Sequence, residues 1–449
     1  MTLTPPFLTA PYWKRSALLL AALLSACASY QPLPLDKKPN LKESLAELRH
    51  DGDLPPVLGI EDVARLAVDN NPDLVAVRAQ AHVARSEAGT AGILPNPSIS
   101  GNYGVLIGGP GSIDALSVGI SEDLKSLVTL SARRAAADAA MRQTDASILW
   151  QEWQVIGKAR MLVVDLVEGD RGLALSRRTL DLLQSRLDRG RAALALGDVT
   201  LTALAPDATA VNDLHKQVHD QERLQAQRRS DLNALVGLSG TVPVPLRPEL
   251  EVPEISPRAI GSLVPGLADR RPDLIALQLG YQAQEAKVRT AILAQFPAPV
   301  LGMTGGHDNS DVRTLGPQIT LDLPVFNRNQ GVIAVEQATR EQLHEEFSAR
   351  LASAAGDLQA IATSRTLIGE QLAQARSRTG DLTAMAGRAR SAYLAGNLDE
   401  RSYVDFAVAD LTGRQSVLAL EQLLLEQRVA VETLTGTGMP ALDSISREP

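Results

Sequence analysis

His215 and His219 stand four residues apart in a run with helical spacing, an arrangement that puts two imidazoles on one helix face, where they could bind a transition metal. No cysteine or third ligand lies near them in sequence, so a solvated helix face is the simpler reading and no metal is expected there. The pair His307-Asp308, in a short loop, carries no more than that. Nowhere does the chain set out a nucleophile–base pair, a P-loop or a dinucleotide fingerprint, so neither an enzyme nor a bound cofactor is expected. One cysteine, Cys27, rules out an intramolecular disulfide.

The surroundings of Cys27 are informative. Lys14 and Arg15 precede the short apolar run Ala17–Leu24, which ends in Leu24-Ser25-Ala26-Cys27. A charged start, a short apolar stretch and small residues before the break describe a signal peptide over residues 1–26. LSAC resembles a bacterial lipobox, which makes Cys27 the expected site of lipidation and the new N-terminus; an ordinary signal peptide that happens to contain a cysteine is the alternative. Ala28 and Ser29 follow, with no acidic residue to suggest inner-membrane retention by analogy with lipoprotein sorting. Residues 27–56, with Pro32, Pro34, Pro39, Pro55 and Pro56 among polar residues, read as an extended tether. No later run reaches ~18 uninterrupted apolar residues, so no membrane-spanning helix is expected.

The net charge is −8 and no long basic run occurs, which argues against a nucleic-acid partner. The acidic balance fits better on a helical surface. Aromatic residues make up only 3% of the chain, too few for base stacking and enough only for a thin aromatic girdle.

The elements that must position these residues are legible around LGPQITLDLPVFNRNQG, residues 315–331. Leu315, Pro317, Ile319, Leu321 and Leu323 alternate with Gly316, Gln318, Thr320 and Asp322, the period of a strand with two unlike faces. Pro324 ends that strand, Asn327 with Gln330 reads as a helix start, and apolar residues then recur at helical spacing from Leu343 to Ile361. The same pattern occurs one half-chain earlier. Asn71-Pro72-Asp73-Leu74 matches Arg271-Pro272-Asp273-Leu274, Pro95-Asn96-Pro97 matches Pro297-Ala298-Pro299, and Leu196-Gly197-Asp198 matches Ala395-Gly396-Asn397.

Two structural repeats are therefore expected, at 57–238 and 258–438, joined by a Pro-rich linker over 239–257 and followed by a tail over 439–449. Each reads helix, strand, turn, strand, long helix, tight turn, helix. Strands are expected at about 96–107, 115–124, 298–307 and 315–323. A helix of ~65–70 residues is ~100 Å long and needs neighbours along its whole length. Gly157, Gly169, Gly172, Gly369 and Gly380 fall inside the two long helices and leave their continuity open. The strands have the length of tilted membrane strands, but four cannot close a barrel, so closure requires several chains; two hairpins in a soluble sheet remain the alternative.

This duplicated layout resembles the outer-membrane efflux protein (TolC) family. NPDL and RPDL open the halves, ILPNP follows the first helix and LDLPVFNRNQG follows the last strand. The lipobox resembles that of the family's lipoprotein branch, partner to inner-membrane proton-driven pumps. The resemblance covers about residues 57–438. It implies a mainly α fold with membrane β: a long α-helical periplasmic barrel, plus four strands per chain contributing to a trimeric twelve-stranded outer-membrane β-barrel. The implied function is that of an outer-membrane channel in a tripartite efflux system, a passive conduit for small molecules or metal ions. Its partners would be two further copies of itself, a periplasmic adaptor protein, an inner-membrane pump and outer-membrane lipid, with no cofactor. A conduit for type I polypeptide secretion and a non-pore trimeric periplasmic lipoprotein are the alternatives.

The resemblance also implies sites. The tight turns at Gly197-Asp198 and Gly396-Asn397, with Asp399, would be the tips that meet the adaptor, and Asp405 would line the closed periplasmic gate. Pro206 stands where the first half would carry its own Asp405, and Ser402 where some members have a second acid. The first half reads EDLKSLVTLS at the join of strand and helix, so a looser exit is expected at Lys125.

Overall fold

The computed structural model describes residues 30–50 and 52–439. Cys27 and its preceding apolar run lie outside the described residues, as does the tail beyond residue 439. The chain divides into two units, Met1–Leu41 and Lys42–Pro449. In the first, residues 30–41 form neither helix nor strand, with Tyr30, Leu33 and Leu35 exposed. The second unit begins inside the segment expected to be a tether. Lys42 bridges to Leu238, a short turn spans Leu45–Glu47, and Leu48 and Leu58 are buried. Leu48, in a core that Leu45 and Leu54 also pack against, keeps this stretch from behaving as a free linker.

Nine α-helices and four strands are described: α1 (Ile60–Asn70), α2 (Pro72–Ala91), β1 (Ser98–Gly104), β2 (Ala115–Asp123), α3 (Lys125–Leu196), α4 (Leu201–Leu235), α5 (Pro257–Leu263), α6 (Leu267–Arg270), α7 (Pro272–Leu293), β3 (Pro299–His307), β4 (Arg313–Leu321), α8 (Gln330–Leu394) and α9 (Glu400–Thr435). The fold is mainly helical with a small β part. α3 is 72 residues and α8 65, both unbroken by their glycines. Two of those glycines have a packing reason. A Cβ on Gly157 would lie 2.5 Å from Thr433 Oγ1, and one on Gly169 would lie 2.6 Å from Gln225 Oε1, so α9 and α4 approach α3 closely there. Gly369 and Gly380 on α8 face open space.

α3 is the central helix. Toward the strands the row runs α2, α3, α7, α8, and toward the other end α4, α3, α9, α8. A core beside α1 gathers Ile60, Val63, Val163, Leu166 and Leu232, and a second around α5–α7 gathers Ile260, Leu267, Leu274 and Leu358. The matched NPDL and RPDL motifs hold these regions by different chemistry. Asn71 is extended, as a residue before proline must be, and its Oδ1 accepts from Leu74 N at 3.0 Å while its Nδ2 donates to Leu235 O at 2.9 Å. One buried side chain thus caps α2 and ties it to the end of α4. At the matching position Arg271 grips Asp273 at 2.8 and 3.0 Å and lies over the Trp150 ring at 4.8 Å. The repeat extends to Gly237 and Gly436, both left-handed (φ +76° and +66°) beneath the carbonyls of Asn70 and Arg270.

All four strands form one antiparallel sheet in the order β1-β2-β3-β4, so β2 and β3 join the two halves. The register gives the sheet two unlike faces. Ile99, Tyr103, Leu116, Val118, Ile120, Leu301, Met303, Leu315, Ile319 and Leu321 share one; Ser100, Asn102, Ser117, Ser121, Thr304, Gln318 and Thr320 share the other. Glycines sit on the polar face where the backbone crowds: a Cβ on Gly302 would lie 2.6 Å from Ile120 O, and one on Gly306 would meet Leu116 O. β1 and β4 each pair on one side only among the described residues.

The boundaries differ from expectation in several places. β1 is shorter than 96–107, β2 stops at Asp123, β3 begins at Pro299, and β4 covers 313–321 rather than 315–323, ending three residues before Pro324. Asn327 does not cap α8. Its Oδ1 accepts from Asn329 N at 2.9 Å, and Asn329, left-handed at φ +61°, is the residue before the helix. At the Lys125 join Leu124 stands before the helix and makes no side-chain cap; Asp123 Oδ1 accepts from Lys125 N at 2.8 Å and Ser126 Oγ donates to Asp123 O at 2.8 Å instead.

Candidate functional site

Two hairpin tips lie at the ends of the long helices. α3 ends with Gly197 left-handed at φ +83°, Gly197 N bonded to Leu194 O (3.0 Å) and Asp198 N to Ala193 O (3.0 Å). α8 ends the same way, with Gly396 at φ +76°, Gly396 N on Tyr393 O (3.0 Å) and Asn397 N on Ala392 O (2.8 Å). Each returning helix then carries its own N-cap. Thr200 Oγ1 accepts from Ala203 N at 3.3 Å, and Asp399 Oδ1 accepts from Ser402 N at 2.9 Å while Ser402 Oγ donates to Asp399 Oδ2 at 2.7 Å. These bonds, led by the Ser402 backbone N–H, hold the Asp399 carboxyl below the usual range. Asp399 thus builds the tip as well as being displayed on it. Leu196, Leu201 and Leu394 are left 72–79% exposed around the turns. Beneath them Leu183, Leu187, Val211 and Val404 form a small core, and Tyr393 stacks on Tyr403 with ring centroids 5.1 Å apart.

Asp405 lies about two and a half turns inside the second tip. It does not stand alone on a solvated face. Arg186 Nη1 donates to Asp405 Oδ1 at 2.5 Å, and Arg186 Nη2 donates to Asp207 Oδ1 at 2.7 Å. Asp207 is buried (4% exposed) and also faces Arg401 at 3.7 Å, while a second link joins Arg189 to Glu400. Three helices, α3, α4 and α9, are therefore tied at one level by alternating charges. Pro206, which matches Asp405 in the first half, stands one residue short of Asp207, and no repeat or motif marks Arg186. The available signal was helical level: Arg186 precedes its turn by about as many residues as Asp207 and Asp405 follow theirs.

His215 and His219 are exposed on α4 with ring centroids 6.0 Å apart. Among the described residues no three His, Cys, Asp or Glu side chains are placed to hold a metal ion. His307 ends β3 opposite Arg313, and Asp308 accepts from the N–H groups of Ser310 and Val312 within its loop. No helix among the described residues is long and apolar enough to cross a membrane, a statement that does not bear on strands.

No family model matches the chain. Over 230 residues it is 28% identical to outer membrane protein OprJ of Pseudomonas aeruginosa, a match spanning 45% of each chain, so less than half the length of that relative is covered. Solved structures agree over far more of its length. A crystal structure of CusC superposes with a TM-score of 0.66 at 16% identity, covering 91% of this chain and 99% of that one. The outer-membrane channel OprN gives 0.69 at 15% identity, covering 92% and 99%. The Campylobacter jejuni CmeC outer membrane channel gives 0.67 at 14% identity, covering 93% and 97%. Long helices in a row, a four-stranded sheet joining two repeats and paired tips at the far end make this the fold of the outer-membrane efflux protein family.

Proposed function

We propose that three copies of this chain form the outer-membrane channel of a tripartite efflux system, a passive conduit for small molecules or metal ions passed on by an inner-membrane pump and a periplasmic adaptor. One observation carries the reading: a single sheet with an apolar face, a polar and glycine-lined face, and two edges unpaired among the described residues. In lipid such edges must be closed, and three copies make a twelve-stranded barrel with Ser, Asn, Gln and Thr toward its lumen. The long helices continue that lumen into the periplasm. Cys27 anchors each chain through its acyl groups, reinforced by the barrel, since a single chain binds a membrane only marginally. The tips at Gly197-Asp198 and Gly396-Asn397 receive the adaptor, and their exposed leucines supply the apolar contact such docking needs.

Asp405 is the gate residue in this reading. Threefold symmetry brings three copies around one mouth, where converging carboxylates attract cations and resist anions. Arg186, holding Asp405 within its own chain, keeps α9 in the resting position. Planar-bilayer recording on the purified protein tests the whole reading. Discrete conductance steps from a stable trimer are expected; an intact trimer without conductance would instead fit a structural lipoprotein.

A further inference from the structure

Away from the tips, three arginines from three helices open onto one groove: Arg178 of α3, Arg376 of α8 and Arg414 of α9. Counted back from Gly197 and Gly396, they lie at one level, about 30 Å from the tips at 1.5 Å per residue. Arg171 enters from a little further along α3. The groove holds about 540 Å³, is floored by Leu175, Leu418 and their small neighbours, and has Glu421 as its one lining carboxylate. Arg171 also ties this groove to the linker, its Nη2 donating to Pro248 O (2.6 Å).

The local charges do not balance. Arg376 pairs with Glu421 at 2.7 Å, Arg414 with Asp410 at 3.1 Å, and Arg171 with Glu168 at 2.5 Å. Arg178 has no hydrogen-bond or ion-pair partner among the described residues. Each guanidinium presents five donors in a planar fork; Arg171 and Arg414 each use two, Arg376 one and Arg178 none, so donors remain open on every one. Glu168, Glu421 and Asp410 offset three of these four charges, which leaves an excess of one, that of Arg178, at the concavity. The cavity volume is that of a small-ligand site.

We propose that this groove binds a small multivalent anion, a solute bearing two or more carboxylate or phosphate groups. One group would take the open fork of Arg178, and another would bridge Arg376 and Arg414, the pairing for which guanidinium geometry is suited. The bound anion would brace α3, α8 and α9 against one another about 30 Å in from the tips.

Thermal unfolding of the purified full chain in detergent tests it, with citrate, pyrophosphate, acetate and chloride compared at equal ionic strength to remove screening. Citrate, pyrophosphate or both should raise the midpoint by a few degrees at millimolar concentration, with acetate and chloride alike and lower. A response to citrate alone assigns a polycarboxylate site, and one to pyrophosphate alone a phosphate site. Arg178→Gln, which breaks no contact, should keep the chloride midpoint and lose most of the shift, and Arg376→Gln should lose it as well. Arg223→Gln, on the exposed side of α4, should retain it. Equal midpoints in all four anions, or a full shift in Arg178→Gln, would overturn the proposal.

Discussion

The guanidinium of Arg186 holds two carboxylates from different helices at once, Asp405 of α9 at 2.5 Å and Asp207 of α4 at 2.7 Å. The two bonds are unequal in consequence. Asp405 is mostly exposed and contributes little to stability, whereas Asp207 is buried and depends on the pair. If the chain is the trimeric channel proposed above, Asp405→Ala should therefore leave the oligomer assembled while raising resting conductance and weakening cation preference in planar bilayers. Unchanged conductance and ion preference would return Asp405 to the status of a surface residue.

Arg186→Gln acts on both partners. It strands Asp207 with only Arg401 nearby, at 3.7 Å, and should loosen the tips by about 3 kcal/mol. Amide exchange should quicken in the ends of α3, α4 and α9 and not near the strands. Uniform quickening along the helices would show that the network is not local.

The sheet makes a paired prediction. Ile319 and Val118 lie on the apolar face, Gln318 and Ser117 on the other. Arginine at Ile319 or Val118 should cost about 2–4 kcal/mol if the site is near mid-membrane, and heat-resistant oligomer on gels should fall accordingly. Small polar replacements at Gln318 or Ser117 should be tolerated. Equal sensitivity at both sets would mean the faces are wrongly assigned.

Glu168 gives a pH dependence. It is buried on α3, one oxygen bonded to Arg171 and the other unpartnered, and burial raises its carboxyl above the ordinary 4.5. A folded-state value above the unfolded one means that its contribution to stability is complete below about pH 4.5 and is lost as pH rises through the raised value. Glu168→Gln should stabilise the chain near neutral pH by about 1 kcal/mol and flatten that slope. Denaturant midpoints between pH 4 and 8 measure it; a slope unchanged by the substitution would assign it elsewhere, for example to Glu432, whose carboxyl is raised by the same cause.

Asn71→Ala removes the α2 cap and leaves the Leu235 carbonyl without its partner in one step. A loss of about 2 kcal/mol is expected, more than for an exposed cap. Chemical denaturation reads it directly, and a loss no larger than that of an ordinary surface cap would mean that the tie to α4 carries no weight.

Intact-mass measurement of the mature protein should find Cys27 at its N-terminus with acyl chains attached. An unmodified Cys27, or cleavage at another residue, would remove the lipid anchor from the proposal.

Much of the fold was legible because it is written twice. Alternation in LGPQITL and the recurrence of NPDL as RPDL are local patterns, and a local pattern survives in sequence. Asn329 was not legible, since a left-handed non-glycine residue leaves no periodic trace and Asn327 looked the better cap. The glycines of α3 seemed a weakness, yet the side chains of Thr433 and Gln225, far away in sequence, explain two of them. The site fared similarly. Gly197, Gly396 and the acids beside them follow from turn chemistry, whereas Arg186 and Asp207 matter only through the neighbours that packing gives them.

The pairing of β2 with β3 sets a problem of timing. β2 finds its second neighbour in a strand roughly 180 residues further along the chain, beyond a long helix, its returning partner and the linker. Until that strand arrives, the first hairpin is a two-stranded ribbon, marginal by itself, with a bare row of donors and acceptors along β2 and Leu116, Val118 and Ile120 on one flank. An incomplete first half is therefore a sticky object, open to capture by another copy's β3. Faithful folding then depends on how quickly the chain's own second half closes that edge, a race decided before the sheet is whole.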